Sequence, residues 1–277
     1  MTDPIIKTIK KVKSVIFADP DLLYKEERHL VNQPFYFEGG NGRAILLIHG
    51  WSSVPYEVRR LGVYLNENGY TVSGPLLSGH GTVPKDLEEV KWEQWLKDVE
   101  SAYQELKGKY SEVFVGGTSI GGNLAVLLAS RHPEISGLIL MATPYKIRLE
   151  RISLFFAKLL RKLRRYNKKF YPPTFGVSTT LTRIISYQTY PVDSALEAFR
   201  LVKDSRQYFS LINQPCFLLQ SSSDHISASG NLEMIYKKIK SPIKEKRYIK
   251  RAYHTFISDI KNESVFEDIL NFLNNTH

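Results

Sequence analysis

Apolar residues come in two rhythms along this chain. Short unbroken runs, such as "AILLIH" at 44–49 and "VFV" at 113–115, have the composition of strands buried on both faces. Elsewhere apolar positions recur every three or four residues. Trp92, Trp95, Leu96, Val99, Tyr103 and Leu106 predict a helix over 92–107. The same reading places a helix over 56–68 that stops at Gly69, a residue suited to the position after a helix end. It places another from Leu124 to Arg131, ended by Pro133. Strands are expected at 33–38, 70–73, 138–141, 216–220 and 244–249, and a last helix at 264–273. Strands alternating with helices predict the α/β class, with a mostly parallel, doubly wound sheet.

The alternation fails between Tyr145 and about Val192. That stretch is basic and aromatic, and it contains Pro172, Pro173 and Pro191. It is expected to be an inserted cap over 145–192, dividing a core made of 33–144 and 193–277. Asp193 is the expected N-cap of a helix that returns the chain to the sheet. Residues 1–32 are expected to form a helical extension. Asp3-Pro4 has the form of a cap followed by proline, and Ile5, Ile9, Val12 and Ile16 follow at helical spacing. That helix is expected to pack on the body or on a second copy, giving a homodimer. Contact with a membrane is the alternative.

Charge sharpens the picture of the cap. The 277-residue chain carries a net +10. Ten lysines and arginines fall between Lys146 and Lys169 against the single acid Glu150, so nearly all the excess lies there. The body is close to neutral, and no nucleic-acid partner is expected. In "RISLFFAKLLRKLRRYNKKF" (151–170), Ile152, Phe155, Phe156, Leu159, Leu163, Tyr166 and Phe170 recur at helical spacing, with cations between them. A basic amphipathic helix is predicted through Phe170. It has two expected uses. Its apolar face would cover an acyl pocket, with Phe155, Phe156 and Leu159 touching the acyl chain. Its basic face would dock on anionic lipid, giving peripheral membrane association. The one cysteine, Cys216, lies in an apolar run and reads as an inert buried thiol. No apolar run approaches the ~18 residues of a membrane span, and a cytoplasmic location is expected.

Candidate chemistry centres on "GGTSIGG" (116–122). A strand must turn into a helix there within a few residues. Gly117-x-Ser119-x-Gly121 has the spacing of a nucleophile elbow; a purely structural glycine turn fits the same letters. A phosphate loop and a dinucleotide turn do not fit, because the lysine and the glycine spacing they need are missing. A serine nucleophile needs a histidine base and a carboxylate to orient it, in the chain order serine, acid, histidine. His29, His49 and His80 precede Ser119. His132 lies at the far end of the helix leaving the turn, His225 adjoins the best acid, and His277 is the last residue. His254 remains, in a loop after the strand 244–249; a solvated loop histidine is its bland alternative. Asp224 stands just past the strand 216–220, where functional loops of a parallel sheet lie. Asp193 and Asp259 are rival acids. Backbone donors for an oxyanion are expected at Ile120, directly after the serine, and at Trp51 in "HGWSS".

Five segments in this order are similar to those of the α/β-hydrolase serine esterases, in particular the bacterial carboxylesterase and monoacylglycerol lipase family. They are "LLIHGWSS" (46–53), "SGHGTVPKDL" (78–87), "GGTSIGG" (116–122), "QSSSDHIS" (220–227) and "AYHTF" (252–256). The resemblance runs from about Phe35 to the end. It implies an α/β-hydrolase fold with an inserted cap and a Ser119, Asp224 and His254 triad. It also implies Trp51 and Ile120 as oxyanion donors, His80 as structural support near the pocket, and no metal or cofactor. The implied activity is hydrolysis of a carboxylic ester or monoacylglycerol through an acyl-enzyme. A thioesterase or lysophospholipase would use the same triad, and a catalytically inactive scaffold would keep only the fold. The segment 1–32 lies outside the resemblance, and the cap is more basic than it implies.

Overall fold

The computed structural model describes residues 31–169, 185–250, 252–258 and 264–276. The expected extension over 1–32 therefore lies almost entirely outside the described residues, as do Phe170, Pro172, Pro173 and Asp259.

The expected strands form one seven-stranded sheet. They are β1 (Phe35–Phe37), β2 (Arg43–Ile48), β3 (Thr71–Gly74), β4 (Glu112–Thr118), β5 (Gly137–Met141), β8 (Cys216–Ser221) and β9 (Lys244–Ile249), in the order β1-β3-β2-β4-β5-β8-β9. Every neighbouring pair is parallel except β1 with β3. The middle strands are apolar through their centres because helices cover both faces. Ala44, Leu46 and Ile48 join one core, with Val113, Val115, Leu138, Leu140 and Leu218. Ile45 and Leu47 join the other, with Phe114, Ile139, Met141 and Phe217. This is the period of two that a pleated strand imposes.

Helices α1 (Tyr56–Glu67) and α7 (Ser264–Asn275) cover the second face; α2 (Trp92–Lys107), α3 (Ile120–Arg131), α5 (Val192–Ser205) and α6 (Asn231–Lys238) cover the first. Gly69 has φ +92°, the left-handed conformation expected just after a helix end. Edge strand β9 reads KEKRYI and is mostly solvated; charges on such an edge discourage pairing with another chain.

Between β5 and α5 the chain forms helix α4 (Glu150–Leu163) and an antiparallel ribbon of β6 (Tyr166–Lys168) with β7 (Thr189–Pro191). The expected helix through Phe170 ends seven residues early, at Leu163, and Arg164 is extended. Arg161, Lys162, Arg164 and Arg165 are like charges that would crowd one more turn, while Tyr166–Lys168 find a strand partner. The expectation for Asp193 is also corrected. Pro191 holds the N-cap position of α5 with no side-chain cap, and Asp193 instead pairs with Arg161 of α4 at 2.6 Å.

Candidate active site

The sheet's carboxyl ends bring three predicted side chains together. At the end of β4 the chain turns sharply into α3, and Ser119 occupies the apex with φ 53° and ψ −124°. Such a backbone is strained for any residue but glycine and persists only when its surroundings enforce it. Two contacts enforce it here. The Ser119 N–H donates to Met141 O at 2.8 Å. Gly117 and Gly121 lie so close that a Cβ on either would collide with backbone, from Gly121 or from Ile48.

Ser119 Oγ lies 2.9 Å from His254 Nε2. On the other side of the ring, Nδ1 lies 2.9 Å from Asp224 Oδ2 and 3.0 Å from Oδ1. In the matching tautomer Nδ1–H donates to the carboxylate and Nε2 accepts from the hydroxyl. Asp224 also accepts from the N–H groups of Ile226 at 2.8 Å and Ser227 at 3.0 Å. Burial alone would raise its pKa. The charge and hydrogen bond of His254 and those two N–H groups override burial and hold the carboxyl well below the usual range. Burial lowers the pKa of His254, but the charge and hydrogen bond of Asp224 outweigh it, so the net shift is upward from 6.5.

Helix α3 starts at Ile120, directly after Ser119, so the Ile120 N–H has no acceptor within its helix. Trp51 lies in the loop after β2, and no described residue accepts its N–H. This loop is built firmly. Ser53 N–H donates to Gly50 O at 3.2 Å, and Tyr187 N–H reaches across from the cap to Ser52 O at 2.8 Å. The Trp51 indole N–H donates to Ser194 Oγ at 2.8 Å, and its ring meets Tyr190 edge-on at 4.9 Å. His49 is buried beneath the loop. Its Nδ1 bonds Gly50 O at 2.9 Å, and its Nε2 accepts the Leu77 N–H at 3.1 Å. Burial, with the neighbouring His80, lowers its pKa to about 3. His80 packs against the rings of His49 and Trp95, and burial brings its pKa down to about 4. Both rings are neutral supports.

Sequence reasoning missed two groups here. Glu57 is buried in α1, and its Oε2 accepts the Gly50 N–H at 2.7 Å. A Cβ on Gly50 would touch both this carboxylate and Ser119 Cβ. The signal was available: Glu57, Leu61 and Leu65 share one face at four-residue spacing, so an acid stands where the helix buries its apolar side. Lys169 is the other, with Nζ 5.7 Å from the Trp51 ring centre.

The cap helix differs from expectation. Phe155, Phe156 and Leu159 are 65%, 53% and 44% exposed, and no residue of α4 is buried. The apolar face was expected to be laid over an acyl pocket, with these three side chains against the acyl chain. It faces solvent instead, because the ion pairs that tie α4 to the body, Arg161–Asp193 and Glu150–Arg206, lie on its other side.

The family described as "Serine aminopeptidase, S33" matches residues 41–261. A carboxylesterase of Bacillus subtilis (strain 168) is 30% identical over 242 residues, covering 87% of this chain and 96% of its own. A thermostable monoacylglycerol lipase of Bacillus sp. (strain H-257) is 30% identical over 241 residues, covering 87% and 93%. Among solved structures, one from a study of LipS and LipT, two metagenome-derived lipolytic enzymes, superposes with a TM-score of 0.80 at 26% identity, covering 88% and 98%. A soluble variant of the Saccharomyces cerevisiae monoglyceride lipase, in complex with a substrate analogue, gives 0.73 at 20% identity over 88% and 90%, and shares the fold.

Proposed function

Because the chain belongs to the serine aminopeptidase S33 family of α/β hydrolases, we propose that it hydrolyses carboxylic esters, among them monoacylglycerols, through a Ser119–His254–Asp224 triad. The observation that carries the proposal is the unbroken chain from Ser119 Oγ through His254 to Asp224, with the serine on a strained apex. His254 Nε2 takes the hydroxyl proton as Oγ attacks the acyl carbon, and Asp224 stabilises the imidazolium. The N–H groups of Trp51 and Ile120 receive the oxyanion; losing one such donor typically costs about 2.7–4 kcal/mol of barrier. His254 then protonates the leaving alcohol, and water repeats the cycle on the acyl-enzyme.

The family's description names an aminopeptidase, and the site's charge argues against one. The Lys169 ammonium beside Trp51 would repel any substrate α-ammonium group that approached it, since like charges in a partly desolvated pocket repel strongly. The two curated relatives are a carboxylesterase and a monoacylglycerol lipase. Turnover of 4-nitrophenyl acetate, butyrate and dodecanoate, beside a monoacylglycerol, an acyl thioester and an aminoacyl 4-nitroanilide, tests the reading. Wild-type protein should cleave oxygen esters, and Ser119→Ala should lose at least about 10⁴-fold in kcat. Cleavage of the anilide alone, or full activity in Ser119→Ala, would overturn it.

The cap supports a proposal about where the enzyme works. The outward face of α4 presents Ile152, Phe155, Phe156, Leu159 and Leu163, with Leu149 just before it; their exposures run from 44% to 74%. Arg151, Lys158, Lys162 and Arg164 flank them without an ion pair among the described residues. An apolar stripe bordered by free cations fits the interface of an anionic lipid surface, where each cation adds about 1 kcal/mol before screening. The enzyme would then meet its substrate at that surface.

A further inference from the structure

Lys169 follows β6 in the cap ribbon, and the acyl transfer gives it no task. Its N–H donates to Gln188 O at 2.8 Å, which extends the pairing of β6 with β7 by one residue and fixes the backbone. Its side chain turns inward over Trp51, with Nζ 5.7 Å from the ring centre. That ring is itself held by Ser194 and Tyr190. The ammonium is therefore fixed beside the residue whose backbone N–H faces the reacting carbonyl.

Three titratable groups face this charge. Glu57 comes from α1, His254 from the loop after β9, and His80 from the loop after β3; each feels the lysine electrostatically. None of them forms an ion pair or hydrogen bond with Nζ, nor does any other described residue. Glu57 is a poor counter-ion. Its carboxyl group is committed to the Gly50 N–H, and burial raises its pKa towards the neutral form. Burial lowers the pKa of Lys169 to about 8. A cation held partly out of water, with no partner among the described residues, is costly, and that cost falls when a ligand brings the opposite charge. The rest of the cap points the same way. Its lysines and arginines create a field that attracts anions towards this end of the sheet.

We propose that Lys169 binds an anionic group, a carboxylate or a phosphate, on the ester substrate, so that acidic esters are preferred over their neutral counterparts. This rests on the ester-hydrolase reading above and adds the substrate class. The lysine stands apart from the triad and forms no bond in the reaction. It holds one end of the substrate while Ser119 attacks the acyl carbon.

The test uses two matched pairs of short, monomeric esters, so that lipid docking does not contribute. Monoethyl adipate against ethyl hexanoate places a carboxylate on the acyl side. 1-Hexanoylglycerol 3-phosphate against 1-hexanoylglycerol places a phosphate on the alcohol side. The readout is the ratio of kcat/KM, anionic over neutral; titration of His254 is common to both esters and cancels. Wild-type protein should favour the anion by about tenfold or more in at least one pair. Which pair shows the preference assigns the anion to the acyl or the alcohol side. The ratio should collapse towards one in Lys169→Met, stay high in Lys169→Arg, and fall in the wild type as pH rises through about 8. That last measurement needs no variant. A wild-type ratio near one in both pairs would overturn the proposal. So would a ratio unchanged in Lys169→Met, or a ratio flat from pH 7 to 9.5. Failure of the wild type to cleave the neutral esters as well would instead overturn the ester-hydrolase reading.

Discussion

The proposed chemistry rests on a few residues whose environments push them in opposite directions. Asp224 is kept ionised by the N–H groups and imidazole around it, and His254 is raised above 6.5 by Asp224. A base must be neutral to accept the serine proton, so activity is lost as pH falls through the pKa of His254. The acid limb of kcat/KM for a neutral ester should therefore lie above pH 6.5. The Lys169 charge lowers the pKa of His254, so Lys169→Met should move that limb to higher pH. A limb that stays in place would show that the two groups do not interact. Glu57 acts through backbone. Glu57→Leu leaves the Gly50 N–H without its acceptor and loosens the donor loop. We expect kcat to fall by about tenfold or more, short of the 10²–10³ of deleting a donor, with KM little changed. Glu57→Gln keeps an acceptor oxygen and should retain most of the rate. Steady-state kinetics on one soluble ester separates these outcomes. Ser119 also stores strain at φ 53°. Ser119→Gly should abolish turnover and raise stability by about 1 kcal/mol, read by urea denaturation.

Elements divide between those that hold the sheet and those that shape the site. Arg43, at the amino end of β2, donates to Glu112 Oε2 at 2.6 Å, Tyr70 OH at 2.7 Å and, near the end of α7, Leu273 O at 2.9 Å and Thr276 O at 3.1 Å. Arg43→Ala should lower stability by about 2–4 kcal/mol, since it strands buried acceptors. It should leave esterase kcat near the wild-type value, because the active site lies at the opposite end of the strand. A large drop in kcat with unchanged stability would contradict this division of labour. The elements legible in the sequence are those whose apolar period is clean. β2, β4, β5, β8 and α2 lie within a few residues of expectation. So do the turns carrying Ser119, Asp224 and His254, because a strand followed by a loop leaves a strong local signal. Helix α6 was not anticipated: Asn231–Lys238 is short and half-polar, and its packing on β8 rather than its own period makes it a helix. Periodicity gave α4 its two faces but not the direction they point, because ion pairs with distant Asp193 and Arg206 set that. Glu57 and Lys169 were invisible as a pair, since they stand 112 positions apart and meet only in the folded site.

At the scale of the molecule, charge and apolar surface lie on the same side as the site. The body is near neutral, while the cap carries the excess and the exposed stripe on α4. No helix among the described residues is long and apolar enough to cross a membrane; the proposed contact with lipid is made by the cap lying on the surface. Wild-type protein should bind vesicles rich in anionic lipid at low salt and release them as salt rises past about 0.15 M, where the Debye length is about 8 Å. Reversing charge at Arg151, Lys158, Lys162 and Arg164 should remove that binding and spare hydrolysis of a soluble neutral ester. Equal binding to zwitterionic vesicles would leave the apolar stripe as the whole of the attraction.

The central claim is that one serine, on one strained turn, performs the reaction. Labelling with a fluorophosphonate, followed by digestion and mass spectrometry of the peptides, tests it most directly. The account predicts a covalent adduct on Ser119, with esterase activity lost in proportion to labelling, and no adduct after Asp224→Asn and His254→Ala are combined. A fully labelled protein that still cleaves esters, or an adduct on another residue that tracks the loss of activity, would contradict it.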